Sequence, residues 1–218
     1  MKNFFKIFKS NKPDWLELPQ PDDSIDYFLK IKKISDQYWS DLSINNTIYG
    51  FQVQFDSKWR SGLSEEQINN FENEVGIPFP TSLRNYYKSM NGLTKPGINV
   101  FASDGNIPAY HPIYYSYPDD IKIILEMIAW IYDENKVNKE ILAQNNISRI
   151  FPITGHRLML IDIPGNPILS MYGDDIIYYA ENLSKFLAND IFHNINNVYD
   201  FESGPDNEPK IKFWLDDK

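Results

Sequence analysis

Cysteine is absent from the 218 residues, which excludes disulfides, thiolate zinc sites and cysteine nucleophiles together. Histidine is scarce: His111, His156 and His193 lie far apart in sequence, none with a neighbour at metal-ligand spacing. No window approaches the roughly 18 uninterrupted apolar residues that a membrane helix needs. The opening MKNFFKIFKS is basic and apolar but too short for a secretory h-region and has no small-residue cleavage site, so a cytoplasmic location is expected. The Asn-x-Ser/Thr matches at Asn45, Asn146 and Asn182 then carry no glycan. Walker loop, GxGxxG, GxSxG and HExxH are all missing, as are internal repeats and low-complexity tracts. These absences lead us to expect no catalytic residue set, no cofactor and no metal site.

What is present favours a packed fold. Apolar residues make up 42% of the chain and aromatics 15%, enough for a sizeable core. The net charge of −9 is unevenly placed: residues 1–60 hold 9 Lys/Arg and 8 Asp/Glu, residues 61–218 hold 12 and 22. Such a field repels phosphate backbones and anionic lipid, and speeds encounter with a basic partner, although acidity also serves plain solubility. Nucleic acid is therefore disfavoured as a partner, a local basic patch near Lys30, Lys32 and Lys33 notwithstanding.

Along the chain, the three prolines of NKPDWLELPQPDD mark a linker, with an arm before it. A helix from Asp22 or Ser24 places Tyr27, Phe28, Ile31, Ile34 and Tyr38 on one face, and alternation predicts a strand from Thr47 to Phe55. GLSEEQINNFENEVGIPFPTSLRNYYKSMNG is densely punctuated. Ser64 and Gln67 form a capping box, Leu63 and Ile68 a hydrophobic staple, and Glu65 and Glu66 sit at the positive end of the dipole. Ile68, Phe71 and Val75 make its buried stripe; Gly76 and Pro78 end it. Pro80 fits the first turn of a second helix with the stripe Leu83, Tyr86, Tyr87 and Met90, stopped by Asn91-Gly92. GINVFA reads as a strand, and an aromatic, proline-interrupted connection follows it. Asp119 or Asp120 caps a helix carrying Ile121, Ile124, Leu125, Ile128 and Tyr132; KEILAQNN adds a short one. RIFPI, RLMLIDI, PILSMYG and DIIYYA, separated by turn residues, predict an antiparallel meander, and ENLSKFLANDIF a closing helix. Ile211, Phe213, Trp214 and Leu215 in the acidic tail either dock or stay free. Helices first, sheet next and helix last argue an α+β fold, with a helical hairpin packed on a mainly antiparallel sheet.

Candidate site residues are few. Asp119-Asp120 and Asp174-Asp175 are adjacent acids, better suited to a cap and a turn than to facing one another across a cleft, as acid/base work requires. Tyr110, Tyr114, Tyr115 and Tyr117 either offer a contact surface or cover a sheet face. Trp59 and Arg60 stack, pair or wedge the first helix in place. His156 reads as a turn histidine; a small hydrolase using it with Asp162 or Asp174 is the remote enzymatic alternative. Partner contacts are assigned to Asp119, Asp120, Tyr114, Tyr115, Asp174 and Asp175.

WRSGLSEEQI leading into ENEVGIPFPTSLRNYYKSMNG resembles the SUKH superfamily, which includes the Smi/Knr-like proteins. The matching positions are Trp59, Gly62, Leu63, Glu72, Val75, Gly76, Ile77, Pro78, Phe79, Pro80, Leu83, Tyr86, Tyr87, Met90, Asn91 and Gly92. RIFPITG and ENLSKFL look like the family's second half, so the resemblance covers roughly residues 58–195. The turn Thr154-Gly155-His156 is shorter than the family's usual glycine- and aspartate-rich one, and Pro108 to Asn146 is longer than its compact connections.

The resemblance implies protein binding: bacterial members act as immunity proteins that sequester a cognate toxin, often a nuclease or deaminase, and fungal members regulate cell-wall assembly. It implies that the motif residues are scaffold. The expected division is an arm and linker over 1–20, a helix–strand extension over 21–57, the SUKH domain over 58–195 and an acidic tail over 196–218. The expected function is toxin neutralisation by occlusion; the alternative is a regulatory or scaffold protein without a toxin partner.

Overall fold

The computed structural model describes residues 16–101, 107–193, 195 and 210–215. The expectations for 1–15, for 196–209 and for 216–218 lie outside these residues. The chain folds as α+β, and every strand pairing among the described residues is antiparallel.

Helix α1 (Ile25–Trp39) begins where Ser24 Oγ accepts from the Tyr27 N–H. It buries Tyr27, Phe28, Ile31 and Ile34 as its spacing predicts, with Trp39 in place of Tyr38 at the last turn. The helix belongs to the same core as the rest of the chain. Tyr27 Oη donates to the Ser184 carbonyl, and Asn85 Nδ2 to the Asp23 carbonyl.

After a loop comes the short strand β1 (Trp59–Ser61), then α2 (Glu65–Val75) with its complete capping box. Gly76 ends α2 with φ 69°, the left-handed region that costs a side-chain-bearing residue about 1–2 kcal/mol. Helix α3 (Thr81–Ser89) follows, with Pro80 as its N-cap rather than inside its first turn. Leu83, Tyr86 and Tyr87 are buried. Asn91-Gly92 does not stop this helix. Met90 is already extended, and β2 (Met90–Leu93) turns straight out of α3 to pair with β1.

The next pair, β3 (Gly97–Asn99) and β4 (Ala109–His111), forms a ribbon. The sequence-predicted strand over Thr47–Phe55 is not formed: only Gln52 bridges to Ile98. An Asn45 side-chain turn and positive φ at Gly50 and Asp56 bend that segment out of a continuous ladder.

Helix α4 (Ile121–Glu134) buries Ile124, Ile128 and Ile131, with Leu125 exposed; α5 (Lys139–Asn145) is short. The meander β5 (Ile150–Thr154), β6 (Arg157–Leu160), β7 (Ile168–Tyr172) and β8 (Asp175–Ala180) makes one sheet in sequence order. Its middle strands are near-continuously buried, as expected of strands covered on both faces. Helix α6 (Leu183–Ile191), capped by Asn182, closes the chain against β8 and α1. Of the tail cluster, Ile211 and Trp214 are buried, and Trp214 Nε1 donates to the Ser148 carbonyl.

Candidate functional site

The motif residues hold the scaffold together. Trp59 is buried between Trp39, Tyr86 and Tyr114, and its Nε1 donates to Ser35 Oγ at 2.7 Å. At Gly62 the chain passes so close to α3 that a Cβ there would lie 1.8 Å from the Lys88 carbonyl oxygen. Beside it, the Leu63 N–H donates to the Tyr87 carbonyl at 2.7 Å. Glu72 accepts from the Phe79 N–H at 2.7 Å and from Arg84 Nη1 at 2.6 Å, tying the Gly76–Pro80 turn to both helices. Asn91 binds both polar groups of the Tyr117 backbone, at 2.7 and 2.8 Å, and Gly92 packs against Ser116. Pro78 and Pro80 flank buried Phe79, which stacks on Tyr87.

The partner-contact assignments fare unevenly. Tyr114 and Tyr115 are 2% and 0% exposed, so they do not form a contact surface. Tyr114 lies against Trp59 and donates to Asp190, and Tyr115 lines the core, because their segment runs between α3 and the main sheet. Burial pushes the Tyr115 hydroxyl up to about 12. Asp120 is spent internally: its Oδ2 accepts from the Ser116 N–H and hydroxyl, and it provides no side-chain cap to α4. Asp119 is exposed but pairs with Arg60 Nη1 at 2.6 Å.

Asp174 and Asp175 are exposed in the β7–β8 turn. Asp119 and Asp120 precede the first turn of α4, whereas the β7–β8 turn meets its last. Through the 14 residues of α4 that separates the two acid pairs by about 20 Å.

The structure instead sets the Gly173-Asp174 turn against the last turn of α4, which carries Asp133 and Glu134. Asn135 Nδ2 donates to the Gly173 carbonyl at 3.0 Å, and a Cβ on Gly173 would touch Glu134 and Trp130. All four carboxylates are exposed and, among the described residues, none has an ion-pair partner. The nearby Lys136 ammonium bonds the Asp133 backbone carbonyl instead. Tyr172, 68% exposed, stands beside them, edge-on to Trp130 at 5.3 Å and to His156 at 6.1 Å. This is an acidic patch with an aromatic floor. Sequence inspection missed Asp133 and Glu134, although a signal was there: carboxylates in the last turn of a helix oppose its dipole, and no basic residue in that turn compensates them.

The enzymatic alternative finds no common geometry. His156 and Asp162 lie at opposite ends of β6, six residues and about 20 Å apart. Asp162 is held by Arg149 through Nε at 3.0 Å and Nη2 at 2.5 Å, which keeps its carboxyl below the usual carboxylate range. Burial and the Arg157 guanidinium push His156 below the ordinary imidazole value. Among the described residues, no hydrogen bond or ion pair joins His156 to Asp162 or Asp174, and no group of three or more His, Asp or Glu is placed to hold a metal. None of the described helices is long and apolar enough to cross a membrane.

An α+β scaffold whose most distinctive residues are spent on packing, with exposed carboxylates that have no ion-pair partner among the described residues, fits a binding domain. Residues 62–218 match the profile of the SMI1 / KNR4 family (SUKH-1), and the chain belongs to that family. The match begins at Gly62 and runs through the tail, beyond the boundary expected at residue 195. Domains of this family are protein-interaction modules. Among curated proteins, the EKC/KEOPS complex subunit BUD32 of Enterocytozoon bieneusi (strain H348) is 26% identical over 125 residues. That stretch covers 57% of this chain and 61% of that protein, so the chain spans under two thirds of the relative's length.

Proposed function

We propose that this protein is a cytoplasmic immunity protein that neutralises a cognate toxin domain by direct binding. The observation that carries the proposal is the acidic end of a SUKH-type domain where the β7–β8 turn meets α4: Asp133, Glu134, Asp174 and Asp175 are exposed there and, among the described residues, have no ion-pair partner. Enzymes that cleave or modify nucleic acid need basic clefts to hold phosphates. An acidic surface complements such a cleft, steers association and competes with the substrate for the same cations. Nuclease and deaminase toxins are therefore the favoured partners, with occlusion of the substrate path as the mechanism.

The decisive experiment is to purify the toxin domain encoded beside this gene, measure binding to the full chain, and co-express both in cells. Submicromolar binding with protection from killing supports the proposal; no binding to any neighbouring toxin removes it. The second reading is a regulatory or scaffold protein without a toxin partner. It is favoured by a further set of exposed aromatics, Tyr49, Phe51, Phe55 and Tyr110, on the loop before β1 and the β3–β4 ribbon. A solitary gene with no adjacent toxin supports that alternative.

A further inference from the structure

The two edges of the main sheet differ. The outer side of β5 is occupied: the Tyr115 N–H donates to the Ile153 carbonyl at 3.2 Å, and the Ile150 N–H donates to Tyr132 Oη at 3.3 Å. Pro152 further blunts that edge by removing a donor. The opposite edge, β8, pairs with no further strand among the described residues. Tyr172 and Asp175 flank the two-residue turn Gly173-Asp174 and so form the first hydrogen-bonded pair of the hairpin. Alternation then points the backbone N–H and C=O of Ile176 and Tyr178 away from β7. Among the described residues, no hydrogen bond reaches those groups.

Edge strands are normally protected by lysine, proline or a cover. The sequence Asp-Ile-Ile-Tyr-Tyr-Ala has neither residue, and it exposes Ile177 at 54% and Tyr179 at 36% on one face.

We infer that β8 is a docking edge that receives an extended, basic segment of the protein partner as a fifth, antiparallel strand. This inference rests on the protein-binding function proposed above and names how the partner is held. Charge selects the occupant. Antiparallel self-pairing of β8 would bring Asp174 and Asp175 of one copy towards Glu181 of the other, so a second copy is disfavoured. A segment running antiparallel to β8 places its C-terminal end beside Asp175 and the acidic patch, so its Lys or Arg residues belong at that end. Its alternate apolar side chains meet Ile177 and Tyr179.

The test uses amide NMR of the full chain titrated with a capped peptide, Thr-Val-Thr-Val-Thr-Lys-Lys. The expected result is large shifts and slowed exchange at the amides of Ile176 and Tyr178. A Glu-Glu ending should bind about tenfold more weakly, and N-methylation of the central valine should abolish the response. Tyr178→Pro, which removes one outward N–H without touching the β7 ladder, should lose the response while circular dichroism stays native. Three results overturn the inference: shifts that fall elsewhere, equal binding of the Glu-Glu peptide, or Ile176 and Tyr178 amides already protected in the free protein. Peptide binding at β8 without toxin binding refutes the immunity function alone. Toxin binding that leaves these amides unchanged refutes the docking edge alone.

Discussion

Replacing Gly62 by alanine tests the central packing argument, because this glycine has no unusual backbone angle to explain it. Its φ lies outside the left-handed region, so conformational preference alone predicts a mild effect. The space predicts the opposite. A Cβ would stand 1.8 Å from the Lys88 carbonyl oxygen, 2.3 Å from its carbon and 2.9 Å from the Ser89 nitrogen, all of them backbone atoms at the end of α3. Relief requires the two segments to separate by about 1.2 Å or more. That movement breaks the Leu63 N–H to Tyr87 carbonyl bond at 2.7 Å and disturbs the Ser61–Met90 pairing. A lost buried hydrogen bond costs about 1 kcal/mol and forced overpacking about 2 kcal/mol. The total of about 3 kcal/mol corresponds to a fall in Tm of roughly 6–12 °C for a chain of this size.

Gly76→Ala is the control. Gly76 has φ 69° but nothing within 4 Å of its missing Cβ, so only backbone strain of about 1–2 kcal/mol applies. Urea unfolding followed by tryptophan fluorescence ranks the two variants. A Gly76→Ala loss equal to or greater than that of Gly62→Ala would refute the close approach as the reason for glycine at 62.

Three further outcomes are expected. Glu72→Ala should cost about 2 kcal/mol in urea unfolding, because the Phe79 N–H and the Arg84 guanidinium lose a shared, mostly buried acceptor; Glu72→Gln should recover part of it. The carboxyl of Asp162 is lowered by its Arg149 bonds, so its contribution is complete above the ordinary value of 3.8 and is lost as pH falls through the folded value. Asp162→Asn should therefore flatten the acid limb of a stability-versus-pH curve, and an unchanged limb would contradict the pairing. Neutralising Asp133, Glu134, Asp174 and Asp175 together should slow association with a basic toxin about tenfold at low salt in stopped-flow measurements. Tm should hold or rise slightly, since none of these carboxylates has an ion pair to lose among the described residues and Asp133 and Glu134 oppose the α4 dipole.

Much of the fold was legible because its signals are local. The Ser64–Gln67 capping box spans three residues, and the Gly76 left-handed cap is equally short-range. The turns between β5 and β8 also declare themselves through neighbouring glycines and prolines. Local signals misled where a tertiary partner overruled them. Asn91-Gly92 has the grammar of a helix stop, yet β1 captures Met90 and the chain leaves α3 directly as a strand. Thr47–Phe55 alternates like a strand, but only Gln52 finds a partner. Tyr114 and Tyr115 have the composition of a contact surface and lie in the core.

The amino-acid sequence alone settled the capping of α2, the α+β order, the family motif and the acidic excess after residue 60. Each depends on contacts within one turn, on periodicity or on a sum of charges. The acidic patch and the open edge of β8 were decided by tertiary structure. Asn135 and Gly173 are 38 residues apart in sequence, and no local rule brings the acidic residues that flank them to one end of the domain. An edge strand is likewise an edge only once the other strands have chosen their neighbours. Local chemistry wrote the elements; packing chose which surfaces were left unpaired for a partner.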